Sequence, residues 1–363
     1  MRSRLLWALP IALVLLLALA AGSAGAQTPV ATGLDNPRGL AFGPDGTLYV
    51  AEAGRGGTAP CYVTGDGAEN CVGPTGAVTE VRRGVQRRLA SGLPSAAEEG
   101  GGGATGPHDV SLLGNGRIVV SLGLGADPAL AAPGGPLAGT GLASLIRLQG
   151  RSGGWRELAN IGAYETSANP DGNLFDTNPY GILATSGGTY VADAGGNSLL
   201  HVSWSGRIST VAVFPNGLAP APPFLGLPPG AQIPMQAVPT AVAEGPDGAL
   251  YVSQLTGFPF PVGGSTVWRI GGSGPEPYRT GFTNVVDLAF GPDGSLYVVE
   301  IASAGLLAGL DGTVIRVSRS GARSAVAEGL FAPGGIAIGP DRAAYVTVCS
   351  VCPASGAVLR FAQ

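Results

Sequence analysis

Two histidines occur in the 363 residues, and His108 directly precedes a carboxylate, Asp109, in the run Gly106-Pro107-His108-Asp109-Val110. An imidazole beside a carboxylate is the pattern of a general base with its partner. Both residues fall in slots of an internal repeat. One slot reads Gly39, Asp109, Gly181, Ala241, Asp287 and Gly335; the slot before it reads Arg38, His108, Tyr180, Thr240, Val286 and Gly334. The first is small except for two Asp, in the second and fifth copies. The second varies in charge, size and aromaticity, as a ring that contacts a ligand would. Glu52, Asp193 and Glu300 close the second strand of their copies, and Asn36, Asn178 and Asn284 stand just ahead of the first strand in alternate copies. These residues predict an acidic, amide-rich mouth in which Arg38, His108, Asp109, Tyr180, Asp193, Asp287 and Glu300 bind a ligand. Hard oxygen donors suit Ca²⁺ or another divalent ion. Asp109, Asp287, Glu52 and Asn178 are the candidate metal ligands, and His108, Asp109 and Arg38 the candidate catalytic groups. His201 is read as structural, because its slot otherwise holds Glu80, Arg147, Arg269, Arg316 and Arg360.

The elements that must position these groups follow from the repeat. The phrase NPRGLAFGPDGTLYVAE at residues 36–52 returns as VPTAVAEGPDGALYVSQ at 238–254, NVVDLAFGPDGSLYVVE at 284–300 and APGGIAIGPDRAAYVTV at 332–348. Two diverged copies lie at 106–122 and 178–193. Self-similarity at this spacing signals a propeller or solenoid. Within each copy apolar residues alternate (Leu40, Phe42, then Leu48, Val50) around Gly-Pro-Asp-Gly, the signature of a hairpin with a tight turn. Asp45, Asp247 and Asp293 are therefore turn residues. A third strand (GAVTEV, ASLIRL, SLLHVS, STVWRI, GTVIRV, GAVLRF) and a fourth follow each hairpin. The prediction is an all-β, six-bladed β-propeller of four-stranded blades. The last copy lacks a fourth strand, and Val30-Ala31-Thr32 precedes the first hairpin unpaired. This N-terminal strand is expected to close the ring and remove the open edge. The long connections (53–75, 94–105, 123–141, 214–237, 255–264) join strands so as to emerge on one face. Phe224, Phe258 and Phe260 lie in them, placed to close over an apolar ligand.

Composition agrees. With 62 Gly and 30 Pro, long helices are disfavoured, while 45% apolar residues supply a core. The net charge of −4, with every cation an Arg, gives no footprint for nucleic acid. Residues 1–26 read as a signal peptide: Arg2 and Arg4, an apolar run over 5–21, then Ala24-Gly25-Ala26. Residues 27–363 are then one domain, secreted or on the exterior of the cell envelope, with no transmembrane segment after cleavage. In that setting Cys61, Cys71, Cys349 and Cys352 read as two disulfides. Local pairing needs no distant contact and is expected; a tetrahedral metal site of all four is the alternative.

Several stretches carry a family resemblance: ATGPHDVS (104–111), TNPYGI (177–182), VADAGGN (191–197), LTGFPFP (255–261) and FTNVVDLAFGPDGSLYVVEIA (282–302). Over essentially residues 27–363 the chain resembles the ScyD/ScyE family, named after proteins of the scytonemin gene cluster. The resemblance implies an exported NHL-like propeller and brings no established catalytic residues. The phrase around Arg38 is also similar to soluble quinoprotein sugar dehydrogenases. That likeness implies His108 and Arg38 beside pyrroloquinoline quinone, with Ca²⁺. The fold is similar to that of metal-dependent lactonases of the gluconolactonase type, which implies Glu52, Asn178 and Asp287 around one ion, although the surrounding lactonase motifs are missing. Two functions compete. One is a propeller binding a small molecule or an envelope or extracellular partner at its long-loop face. The other is a metal- or quinone-dependent oxidoreductase or lactonase-like hydrolase at the channel mouth.

Overall fold

A computed structural model describes residues 27–64, 67–150 and 154–362. The signal-peptide reading of residues 1–26 lies outside them. Six antiparallel sheets, each a meander of neighbouring strands, form the predicted propeller. Blade 1 consists of Pro37–Phe42, Leu48–Glu52, Glu69–Arg82 and Val85–Ala97. Blades 2 to 5 occupy residues 107–160, 179–213, 239–282 and 285–331. Blade 6 takes Gly335–Ile338, Ala344–Val348 and Gly356–Phe361, and its outer strand is Gln27–Leu34. That N-terminal strand runs antiparallel to Gly356–Phe361, with Ala31 opposite Val358 and Leu34 opposite Gly356. Ala31 and Leu34 are buried, so the closing strand is anchored by side chains as well as by its ladder.

The core lies between blades. Tyr49, Ala51 and Val78 of blade 1 pack on Val110, Val120 and Ile146 of blade 2, and equivalent clusters fill the other seams. Alternation along each strand puts one apolar face toward each neighbouring blade. The repeated turn Asp acts twice. Asp247 accepts from Ala249 N in the turn and pairs with Arg269 at 2.8 Å; Asp293 pairs with Arg316 and Asp341 with Arg360 in the same way. These pairs explain why the third-strand slot reads Arg. His201 in that slot stacks against Tyr190 at 5.0 Å, a packing role.

Both disulfides form locally, Cys61–Cys71 and Cys349–Cys352. The first pins Cys61–Val63, a short strand that pairs with Glu69–Arg82. The long connection at 214–237 carries its own hairpin, Gly217–Pro220 with Gln232–Met235. The connection after blade 2 holds an α-helix, Ile161–Ala168, which the composition did not suggest. Its start is capped by Asn160, whose side chain accepts from Ala163 N, and it stops at Asn169, which is left-handed and precedes Pro170. No helix among the described residues is long and apolar enough to cross a membrane.

Candidate functional site

The first strands of the blades crowd around the axis. A Cβ on Gly181 would sit 2.5 Å from Thr240 O, and one on Gly335 2.6 Å from Arg38 O, so these slots admit only Gly. The two Asp of the same slot bind backbone. Asp109 accepts from Val110 N at 2.7 Å and, across the seam, from Ile182 N of blade 3 at 2.8 Å. Asp287 accepts from Leu288 N at 2.8 Å and from Ile336 N of blade 6 at 2.7 Å. Each carboxylate therefore ties its blade to the next one. Burial, with the charge of Asp287 second, pushes Asp109 well above the ordinary carboxylate range; burial likewise raises Asp287.

The remaining carboxylates are also engaged by the fold. Glu52 accepts from Asp35 N at 2.8 Å and from Thr79 Oγ1, and pairs with Arg88 at 2.9 Å. Asp193 accepts from Asn178 N at 2.6 Å and Thr177 Oγ1 at 2.7 Å, and burial raises it to about 6. Glu300 accepts from Thr283 N at 2.8 Å and is raised by burial. All three hold the chain where it enters the first strand of their own blade. Each side chain of the expected metal set, Asp109, Asp287, Glu52 and Asn178, thus accepts hydrogen bonds from the fold. Among the described residues no three acidic, His or Cys side chains converge on one point. Asp193 and Glu300 are likewise turned to the fold and do not line the mouth pocket.

What does assemble is the variable slot. Arg38, His108 and Tyr180, with Asn178, line a pocket of about 390 Å³ at the mouth. Its walls come from three of the long connections: Thr64, Ala68 and Asn70 from the first, Glu98 to Thr105 from the second, and Leu124 and Gly125 from the third. This pocket therefore lies on the long-loop face. A cleft of about 440 Å³ on the opposite face, between blades 1 and 2, is lined by turn residues such as Pro44, Asp45 and Gly116, which carry only the fold's own chemistry. Phe224, Phe258 and Phe260 do cluster, with ring centres 6.3 and 6.1 Å apart, but away from this pocket; they cover no ligand space there.

His108 is 3% exposed and tightly placed. Its Nδ1 lies 3.2 Å from Pro179 O and its Nε2 3.2 Å from Thr105 Oγ1. A carbonyl only accepts, so Nδ1 carries the proton and Nε2 takes the hydroxyl hydrogen. Burial, then the charge of Arg38, pushes its pKa down to about 3, so the ring is neutral throughout the physiological range. The Tyr180 ring packs on it with centres 4.6 Å apart. Gly123 makes room: a Cβ there would lie 2.1 Å from His108 Cε1 and 2.5 Å from Asn178 Oδ1. Asn178 Oδ1 accepts from Leu124 N at 3.2 Å. Arg38 is 8% exposed; its Nη2 donates to Ala104 O at 2.9 Å and its Nη1 reaches Tyr180 OH at 3.5 Å. The pocket thus offers a fixed cation, a neutral imidazole, a phenol and an amide. Sequence reasoning missed Thr105 and Gly123, although Thr105 lies inside the ATGPHDVS stretch that carries the family resemblance.

No family model matches the chain, and no curated protein is similar to it. Solved structures are similar in fold. A gluconolactonase from Xanthomonas campestris superposes with a TM-score of 0.54 at 12% identity, covering 93% of this chain and 90% of that one. A Thermus thermophilus protein proposed as an oxidoreductase (glucose dehydrogenase) gives 0.51 at 20% identity over 93% and 100%. A catalytically inactive virginiamycin B lyase from Staphylococcus aureus, solved with quinupristin, gives 0.50 at 14% identity over 93% and 99%. At such identities the likeness establishes the propeller fold and leaves the chemistry to the site.

Proposed function

We propose that the protein is an exported propeller, ScyD/ScyE-like, that binds a small polar ligand in the pocket formed by Arg38, His108, Tyr180 and Asn178. The carrying observation is the convergence of one variable slot from three successive blades under walls built by three long loops. Repeated residues serve the fold; here the exceptions meet at one cavity of ligand size. The two disulfides agree with an oxidising compartment. The test is a thermal-shift screen of small polar metabolites on the wild type and on Gly123→Ala. A ligand that stabilises the wild type should lose its effect in Gly123→Ala, which displaces His108 and Asn178. Equal stabilisation of both proteins would place the ligand elsewhere.

The second reading is an enzyme, a lactonase-like hydrolase or an oxidoreductase. One observation favours it: the neutral His108 has its Nε2 held only by a hydroxyl, which a substrate proton donor can replace. A divalent metal on the residues first expected is not supported, since their oxygens are engaged. Turnover of lactones or sugars that disappears in His108→Gln, with folding intact, would establish this reading; wild-type turnover in that variant would remove His108 from the chemistry.

A further inference from the structure

Arg38 is a buried cation without a counter-charge among the described residues. No ion pair among the described residues includes it, whereas the neighbouring Arg88 is held by both Asp35 and Glu52. Its Nε is buried and has no hydrogen-bond partner. Its two other contacts are to neutral groups, Ala104 O and Tyr180 OH. A buried guanidinium is normally paired, since removing it from water is costly unless an anion and hydrogen bonds replace the lost solvation.

The groups around it continue the pattern. Tyr180 OH accepts from Arg38 Nη1, which leaves its own proton free to donate into the pocket. His108 is neutral and adds no negative charge. Asn178 uses its oxygen on Leu124 N, and its amide nitrogen is the side-chain atom nearest the Cβ position of Gly125 on the pocket wall, at 3.8 Å. Glu98 is the only acidic residue among the described lining residues; it is exposed and forms no ion pair with Arg38. Among the described residues the deep wall is therefore donor-rich and positive, and the carboxylate of Glu98 stands at the rim.

We infer that the ligand carries an anionic oxygen group, a carboxylate, that seats against Arg38 and Tyr180 at the bottom of this pocket. The inference rests on the pocket proposed above and adds the ligand's charge class. A carboxylate accepts charge-assisted hydrogen bonds from a guanidinium, and here it would take them from Arg38 Nη1 and the Tyr180 phenol. The pocket volume of about 390 Å³ suits a small organic acid.

The test uses matched pairs of probes on the full mature chain, read by calorimetry and thermal shift: benzoate with benzamide, glucuronate with glucose, and inorganic phosphate as a carbon-free anion. Wild type should bind at least one carboxylate ten-fold or more tightly than its neutral partner, with affinity falling as salt rises. Arg38→Met should abolish the preference, and Arg38→Lys should keep part of it; the Lys variant covers the case in which Arg38→Met does not fold. Gly123→Ala reports on the pocket itself. If both members of a pair bind alike, are unaffected at Arg38 and are lost in Gly123→Ala, the anion inference falls while the pocket reading stands. If phosphate binds and carboxylates do not, the carboxylate assignment is wrong. If no probe distinguishes wild type from either pocket variant, both readings fail.

Discussion

Glu165→Gln should make this protein more stable at neutral pH and flatten its stability between pH 5 and 8. Glu165 sits on the helix Ile161–Ala168, is 2% exposed, and its Oε1 has no hydrogen-bond partner. A Cβ on Gly196 would stand 2.9 Å from its Oε2 and 3.2 Å from Asp193 Oδ2, so two carboxylates flank one turn. Burial first, then Asp193, Asp171 and Asp176, raise its pKa to about 8 from an ordinary 4.5. The folded state then holds a proton that the unfolded chain releases. This contribution is fully present below about pH 4.5 and is lost as pH rises through 8. The slope is at most about 1.4 kcal/mol per pH unit, and the whole window amounts to about 5 kcal/mol before screening. Solvent over the exposed loop that follows the helix reduces this to about 2–3 kcal/mol. The assay is urea unfolding at half-unit steps from pH 5 to 8. The difference between Glu165→Gln and wild type should grow with pH. A constant difference, or one that shrinks, would refute a protonated Glu165 in the fold.

Three further outcomes are expected. Cys61→Ser with Cys71→Ser should lower stability by about 2–3 kcal/mol in chemical denaturation, from the loop closed by a sequence separation of 10; an unchanged midpoint would mean that the 53–75 excursion does not unfold with the ring. Leu34→Ala, at a 1% exposed position on the closing strand, should cost about 2–5 kcal/mol by the same measurement, and a cost under 1 would detach that strand from the cooperative unit. Asp287→Ala leaves Leu288 N and Ile336 N without their acceptor and should destabilise by about 1–3 kcal/mol, equally with and without a chelator; a loss confined to chelator-free protein would restore a metal role for Asp287.

The repeat was legible because its causes are local. Alternation around Gly-Pro-Asp-Gly dictates a hairpin, and the Arg slot answers the turn Asp, as Asp247 with Arg269 shows. The helix at 161–168 had readable ends, Asn160 and Asn169-Pro170, but too few residues between them to stand against the Gly-rich background. The site was half legible. Arg38, His108 and Tyr180 were singled out by their variety, and they do converge. Asp109 and Asp287 looked equally exceptional, yet they bind N–H groups of the next blade. A backbone donor has no residue identity, so no sequence pattern announces it. Adjacent residues on a strand also point to opposite faces, and the first strands of blades 1 to 5 begin with a register shift, as between Pro107 and Asp109. That shift separates the pocket slot from the clamping slot by a single position.

Joining Gln27–Leu34 to Gly356–Phe361 sets an order of events in time. The strand synthesised early finds its partner only when Gly356–Phe361 has been made. Until then Gln27–Leu34 has no partner, and the seam between blades 6 and 1 is open. A chain interrupted late in synthesis therefore carries five nearly finished blades and still lacks the contact that locks them. Ring closure needs both Gln27–Leu34 and Gly356–Phe361, so a fragment lacking either presents an unpaired strand edge to any quality-control protease, while the closed ring presents none at that seam.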